Sequence, residues 1–245
     1  MEIIKYKNIF LNIPKRYCNN NLKNRFNNDG YEKFETYFVN KYFDKNDYVL
    51  ELGSCLGFIS FTLAKNTKHV ISIEANPELK DSLLTSKKMN NIINIDFHNC
   101  FISNDTQNIK FQTYDLIVAG SGNRTKESVG CYINSLKEYE LTPRNINSIE
   151  NIDKVNCVVL DIEGGELNFF SENKELLIRC NKILAEFHER LMNIPDFDKK
   201  CINILKSYNF ILKESQGGNF YFEKKSIKQS NQLTSLLLFK ATKKK

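Results

Sequence analysis

Three groups of residues have the types and spacing to do chemistry. The first lies in VLELGSCLG, residues 49–57, where an apolar run leads into Glu51, Gly53, Ser54 and Gly57. Gly53 permits a tight turn and Gly57 a close helix approach, so a ligand carboxylate can lie near the helix amides. The spacing is G-x-x-x-G rather than the G-x-G-x-x-G that cradles a pyrophosphate, which disfavours a dinucleotide. The second group is Glu74, 17 positions after Gly57, with Ala75 and Asn76 behind it. An acidic residue ending the second strand of a βαβ unit is expected to accept hydrogen bonds from two ribose hydroxyls. Ala75 and Asn76 are placed to flank the attached base, and Asn99, in FHNCFIS, to read its edge. The plainer reading of Asn99 is a turn residue chosen for its backbone tolerance.

The third group is acidic: Asp161, Glu163 and Glu166 in VVLDIEGGELNFF, and Glu186 and His188 in KILAEFHE. On a strand, residues two apart share a side, which pairs Asp161 with Glu163 and Glu186 with His188. His188 titrates near neutrality and a neighbouring carboxylate can orient its ring, as general-base chemistry requires. Asp161, Glu163 and His188 are therefore the expected catalytic residues. Against this stands a surface ion network around His188, and a Glu166 that only favours the positive end of a helix. Mg²⁺ held by Asp161 with Glu163 or His188 is the metal alternative. No spacing in one sequence fixes an octahedral site, so a cation-free mechanism is preferred and no residue is assigned to a metal.

These groups can meet only if they leave one edge of a sheet. From Asp47 onward, short apolar runs alternate with helical segments, the pattern of a parallel α/β sheet. Strands are expected at Tyr48–Leu52, His69–Glu74, Ile93–His98, Val155–Ile162 and Lys182–Phe187, and closing strands at Phe210–Lys213, Phe220–Glu223 and Ser235–Ala241. Helices are expected at Phe58–Lys65, Pro77–Asn90 and Asp196–Tyr208. Two segments compete for the fourth strand, and Val155–Ile162 is preferred over Asp115–Ala119 because it ends in the acidic cluster, where ligands gather in open α/β sheets. Residues of about 105–150 then form an insertion, with FQTYDLIVAG as peripheral strands and GSGNRTKES as a surface loop placed to cover the acceptor site. Residues 1–30 read as an N-terminal extension, 31–241 as the main domain and 242–245 as a basic tail. The aromatics of YEKFETYFVNKYF lie at helical spacing and read as packing rather than a ligand platform.

The chain has 245 residues, 41% of them hydrophobic and 26% charged, which suits a single globular α/β domain. No apolar stretch is long enough for a membrane span and the N-terminus lacks a signal-peptide core, so a soluble, cytoplasmic protein is expected. Seven scattered cysteines without a C-x-x-C pair, and three histidines, suggest reduced thiols and no zinc site. The net charge of +6 is spread over the chain apart from the terminal KATKKK, so a nucleic-acid partner draws support from charge alone.

At VLELGSCLGFISFTLAK, HVISIEANPELKDSLLTSKKMN, HNCFIS, VVLDIEGGELNFF and KILAEFHE the sequence resembles the FkbM-type methyltransferases, over roughly residues 45–105 and 145–192. Glu51 stands where family members usually carry Asp, and Ser54-Cys55 where they carry Ala-Asn. The resemblance implies a Rossmann-like class I methyltransferase fold, a mostly parallel seven-stranded sheet with helices on both faces. It implies S-adenosylmethionine as cofactor and O-methylation of a sugar, glycan or other hydroxylated small molecule. Two rivals are an RNA methyltransferase and a non-catalytic cofactor-binding subunit, which would need none of Asp161, Glu163 or His188. The sequence leaves oligomeric state open.

Overall fold

The structure, a computed structural model, describes residues 1–114, 120–121, 136–189 and 192–225. Its first elements are a hairpin, β1 (Glu2–Tyr6) and β2 (Ile9–Ile13), and the helices α1 (Asn20–Asn27) and α2 (Lys33–Tyr42). Then come β3 (Tyr48–Leu52), α3 (Phe58–Asn66), β4 (His69–Glu74), α4 (Lys80–Met89) and β5 (Ile95–Asn99). The middle of the chain contributes β6 (Ile109–Tyr114), β7 (Gly120–Ser121) and β8 (Leu136–Leu141). The remainder is β9 (Cys157–Leu160), α5 (Glu166–Glu172), α6 (Lys174–Arg179), β10 (Lys182–Glu186), α7 (Phe197–Ser207), β11 (Phe210–Gln216) and β12 (Asn219–Lys224).

The central sheet has seven strands in the order β11-β12-β10-β9-β3-β4-β5. Every neighbouring pair from β10 to β5 is parallel, and β12 runs against both β10 and β11. Alternation along the strands explains why both faces carry helices. Val49, Val70, Cys157 and Val159 face one way and pack with Phe38 of α2, Phe61 of α3 and Leu83 of α4. Leu50, Ile71, Val158 and Leu160 face the other way, against Phe170 of α5, Leu177 of α6 and Leu205 of α7.

The N-terminal hairpin is part of the first core. Tyr6, Ile9, Leu11 and Ile13 are buried, and Tyr6 packs its ring 4.8 Å from that of Phe58 at the start of α3. The polar, turn-rich composition of residues 1–30 hides this, because only alternate residues of so short a hairpin point inward. The expected fourth strand is shorter than its apolar run: it stops at Leu160, and Asp161–Glu163 belong to a turn. The expected insertion contains a three-stranded antiparallel sheet, β7-β6-β8, whose third strand, LKEYEL, was not foreseen. Asp115–Ala119, most of GSGNRTKES, the closing strand Ser235–Ala241 and the basic tail lie outside the described residues. Among the described residues no helix is long and apolar enough to cross a membrane, and six of the seven cysteines are free thiols.

Candidate active site

The carboxyl ends of β3, β4 and β9 open into a cleft lined by Gly53, Cys55, Glu74, Ala75, Asn76, Asp161 and Glu163. β3 and β9 are the neighbours from which successive strands depart in opposite directions, and such a switch point leaves a crevice at the strand ends. Leu79, Phe101, Ile102 and Phe111 add apolar walls, and Arg25, Tyr31 and Glu32 close the cleft from the N-terminal side.

Glu74 is 7% exposed. Its Oε2 accepts the Cys55 amide and its Oε1 the Asn76 amide, each at 2.7 Å. Burial raises its carboxyl above the ordinary range, against these amides. Each oxygen retains a second lone pair, so the carboxylate can still bind a vicinal diol. The remaining loop amides are largely committed. Gly53 and Ser54 donate to the Ile73 carbonyl and Gly57 to that of Ser54, so this loop offers a ligand shape more than open amide donors. A Cβ on Gly53, at φ +89°, would lie 1.7 Å from the Asp161 carbonyl oxygen; the glycine is where the loop after β3 crosses the acidic turn. Gly57, at φ +82°, does not line the cleft and instead makes room for Leu83 and Phe61.

Three other expected ligand residues sit differently from the sequence reading. Glu51 and Ser54 line a smaller cavity beside the cleft, which shares Leu52, Gly53, Cys55 and Asp161 with it. Glu51 is buried under the loop, where Ser72 donates to it at 2.7 Å, and burial pushes its carboxyl up to about 7. Asn99 ends β5 and donates to the carbonyls of Glu74 at 2.7 Å and Asn76 at 3.0 Å, bracing the loop after β4 from outside the cleft. The Asn76 side chain caps the turn before α4 by accepting the Glu78 amide, and donates to the Tyr17 hydroxyl.

The acidic turn brings Asp161, Glu163 and His188 together. His188 Nε2 lies 3.5 Å from Asp161 Oδ1 and 3.4 Å from Glu163 Oε2, while Nδ1 lies 2.8 Å from Glu166 Oε1. Strand alternation does not produce this pairing, since Asp161 and Glu163 have left the strand. Glu163 adopts a left-handed conformation, φ +55°, followed by Gly164 at φ +102°, and backbone strain of this kind concentrates at functional sites. Glu166 is fully buried and also accepts the Gly164 amide at 3.1 Å, so it is far more than a helix-end charge. Burial lowers the His188 affinity for a proton, but the Glu166 hydrogen bond and the charges of Glu163, Glu166 and Glu186 outweigh it and raise its pKa. Burial, then the charges of Glu186 and Glu163, push Asp161 well above the carboxylate range. Glu186 is pushed to about 7 by burial and by Glu35. His188 and Glu186 stand behind the cleft wall formed by Asp161 and Glu163.

Sequence reasoning missed Arg25, Tyr31, Glu32, Phe101 and Phe111. Phe101 follows the Asn99 turn at the end of β5, while the others reach the cleft from segments that carry no strand-end motif, and Tyr31 also belongs to the packed ring cluster of Tyr6, Phe26 and Phe58. The insertion is tied to the rest of the domain at Glu78, which accepts from Lys137 and Tyr139 of β8 and from Arg16 and Tyr17.

The model of the methyltransferase FkbM domain matches residues 26–212 of the chain. No curated protein sequence matches it. Among solved structures, a methyltransferase FkbM from Methylobacillus flagellatus KT is similar at 14% identity and a TM-score of 0.48; the match covers 78% of this chain and 46% of that one. A ribosomal protein L11 methylase from Lactobacillus delbrueckii subsp. bulgaricus is similar at 11% identity and a TM-score of 0.48, covering 79% of this chain and 78% of that one. TYW2 from M. jannaschii, in complex with AdoMet, is similar at 12% identity and a TM-score of 0.45, covering 91% and 86%.

Proposed function

Because the chain belongs to the FkbM methyltransferase family, we propose that it transfers a methyl group from S-adenosylmethionine to a hydroxyl of a sugar, glycan or other small molecule. One observation carries this reading: the ribose-type carboxylate Glu74 and the acidic pair Asp161 and Glu163 face the same cleft, on either side of Gly53. The cofactor supplies a methyl group already activated on a sulfonium, and the protein must position the acceptor in line and remove its proton. Glu74 is suited to the ribose diol, and Leu79, Phe101 and Ile102 to the base.

Asp161 and Glu163 reach the cleft and are the groups placed to take the acceptor's proton. Burial and the charges of Glu186 and Glu163 hold the Asp161 carboxyl above the ordinary carboxylate range, which makes it a stronger base than a free carboxylate. His188 stands behind them, held by Glu166, with its Nε2 3.5 Å from Asp161 and 3.4 Å from Glu163. The lining also favours a small acceptor over RNA. Glu32, Glu74, Asp105, Asp161, Glu163 and Glu172 face Arg25 as the one basic group among the described lining residues. A polyphosphate backbone needs the opposite sign.

Asp161→Asn and Glu163→Gln test this directly in a methyl-transfer assay with a panel of sugars and small alcohols. Each is expected to lower turnover by about 10²- to 10⁴-fold, the usual scale for a positioned base, with little change in S-adenosylhomocysteine affinity. Normal turnover by both variants on a methylated acceptor would remove the acidic turn from the chemistry.

A further inference from the structure

We infer that Asp161, Glu186 and His188 form a binding site for a divalent cation of the Mg²⁺ or Mn²⁺ type, at the acceptor side of the cleft. One ligand atom from each lies within 4.8 Å of the other two. Ligands on one octahedral cation with bonds of about 2.1–2.2 Å stand about 3.0 Å apart when adjacent and roughly 4.3 Å apart when opposite, so the three side chains would draw together on binding it.

The imidazole marks this as more than a gathering of acids. Its Nδ1 is held at 2.8 Å by Glu166, a carboxylate with no exposed surface, which itself is fixed by the Gly164 amide. With the proton on Nδ1, that bond turns the Nε2 lone pair toward Asp161 and Glu163, the arrangement in which protein carboxylates orient metal-binding histidines. The Nε2 to Asp161 Oδ1 distance of 3.5 Å is too long for a good hydrogen bond and close to the spacing of two ligands on one ion.

A second observation comes from Asp161 itself. Its side chain is 34% exposed to the cleft, yet its Oδ1 atom is buried and has no hydrogen-bond partner among the described residues. A cation placed between this orphaned carboxylate oxygen and Nε2 of His188 would give both a partner. Two carboxylates and one imidazole give a hard, oxygen-rich donor set whose charge neutralises a divalent ion. Because only Asp161 of the three lines the cleft, the outward positions of such an ion open toward the acceptor.

Its catalytic use rests on the methyltransferase reading. An acceptor hydroxyl bound to the ion would lose its proton to Glu163, and the alkoxide oxygen would form its bond to the methyl carbon as the carbon–sulfur bond breaks, leaving a neutral thioether.

Titration of the full chain with Mn²⁺, followed by the loss of the free-ion electron paramagnetic resonance signal, tests the site without any acceptor. One Mn²⁺ per chain is expected. Asp161→Asn and Glu186→Gln, both near-isosteric, should each weaken it by at least tenfold, and Glu166→Gln by about 10- to 100-fold, the usual effect of losing a carboxylate behind a ligating histidine. Thermal melts of each variant confirm the fold. Absence of stoichiometric Mn²⁺ binding by a chain that binds S-adenosylhomocysteine would overturn the cation site and leave the methyltransferase reading standing. Mn²⁺ binding that survives both Asp161→Asn and Glu186→Gln would also overturn it. Failure to bind S-adenosylhomocysteine strikes the methyltransferase reading instead.

Discussion

At the scale of single residues, Glu74 and Glu51 are both buried acids at one strand edge, and the structure gives them different work. Glu74 faces the cleft and braces the amides of Cys55 and Asn76. Glu74→Ala is therefore expected to lower the melting temperature as well as cofactor affinity, whereas Glu74→Gln keeps one acceptor and isolates the ligand contribution. The Gln variant should bind S-adenosylhomocysteine about 1.5–3 kcal/mol more weakly, the scale of hydrogen bonds to a charged group. Calorimetry reads it, and unchanged affinity would show that Glu74 is not the ribose partner. Glu51 is a stability residue. Burial opposes its ionised form, with Ser60 and Ser72 favouring ionisation and the Glu74 charge opposing it, and its carboxyl sits at about 7 rather than 4.5. The folded chain thus holds a proton there that the unfolded chain releases. Its contribution is fully present below about pH 4.5 and is lost as pH rises through about 7. Glu51→Gln removes that dependence, so the variant should gain on the parent by roughly 1–3 kcal/mol between pH 5 and pH 8. Parallel urea midpoints for the two proteins across that range would refute the assignment.

At the scale of elements, the site is two strand-to-helix turns pressed together. Gly53, in the first, touches the Asp161 carbonyl of the second, while Gly57 lets α3 settle against Leu83 and Phe61. The consequences of adding a methyl group differ accordingly. At Gly57 the obstructing atoms are side-chain ends that can shift, so Gly57→Ala should cost about 1–3 kcal/mol, strain at positive φ included. At Gly53 the obstruction is backbone oxygen, and Gly53→Ala should cost more than Gly57→Ala in chemical denaturation. The reverse ranking would mean the two turns are not in contact. The first turn was legible because an apolar strand, two glycines and Glu74 recur at fixed offsets within one βαβ unit, and β3 and β4 fall where the pattern puts them. The acidic turn was legible in composition but not in geometry. Apolar runs show where a strand is buried, not where its ladder stops, so Asp161 and Glu163 looked like strand residues. The roles of Glu186 and Glu166 emerge only when β10 is laid beside β9, a long-range pairing with no local signal.

At the scale of the whole molecule, the carboxyl edge of the sheet is enclosed by parts that carry no motif. Arg25 of α1 and Ile109 and Phe111 of β6 line the cleft, and Glu78 joins Arg16 and Tyr17, between β2 and α1, to Lys137 and Tyr139 of β8. Burial lifts the Glu78 carboxyl, but these donors dominate and hold it down at about 2, so the junction stays charged at any working pH. The molecule carries +6 overall, yet its cleft is acidic. Charge summed over a sequence reports the surface as a whole, whereas a ligand in the cleft meets the local sign. The central claim is that the cleft between β3, β4 and β9 is built for the nucleoside of S-adenosylmethionine rather than a dinucleotide. Isothermal titration calorimetry of the full chain with S-adenosylhomocysteine, and in parallel with NAD, tests it most directly. The account predicts one S-adenosylhomocysteine per chain and no heat of binding from NAD; NAD binding with no response to S-adenosylhomocysteine would contradict it.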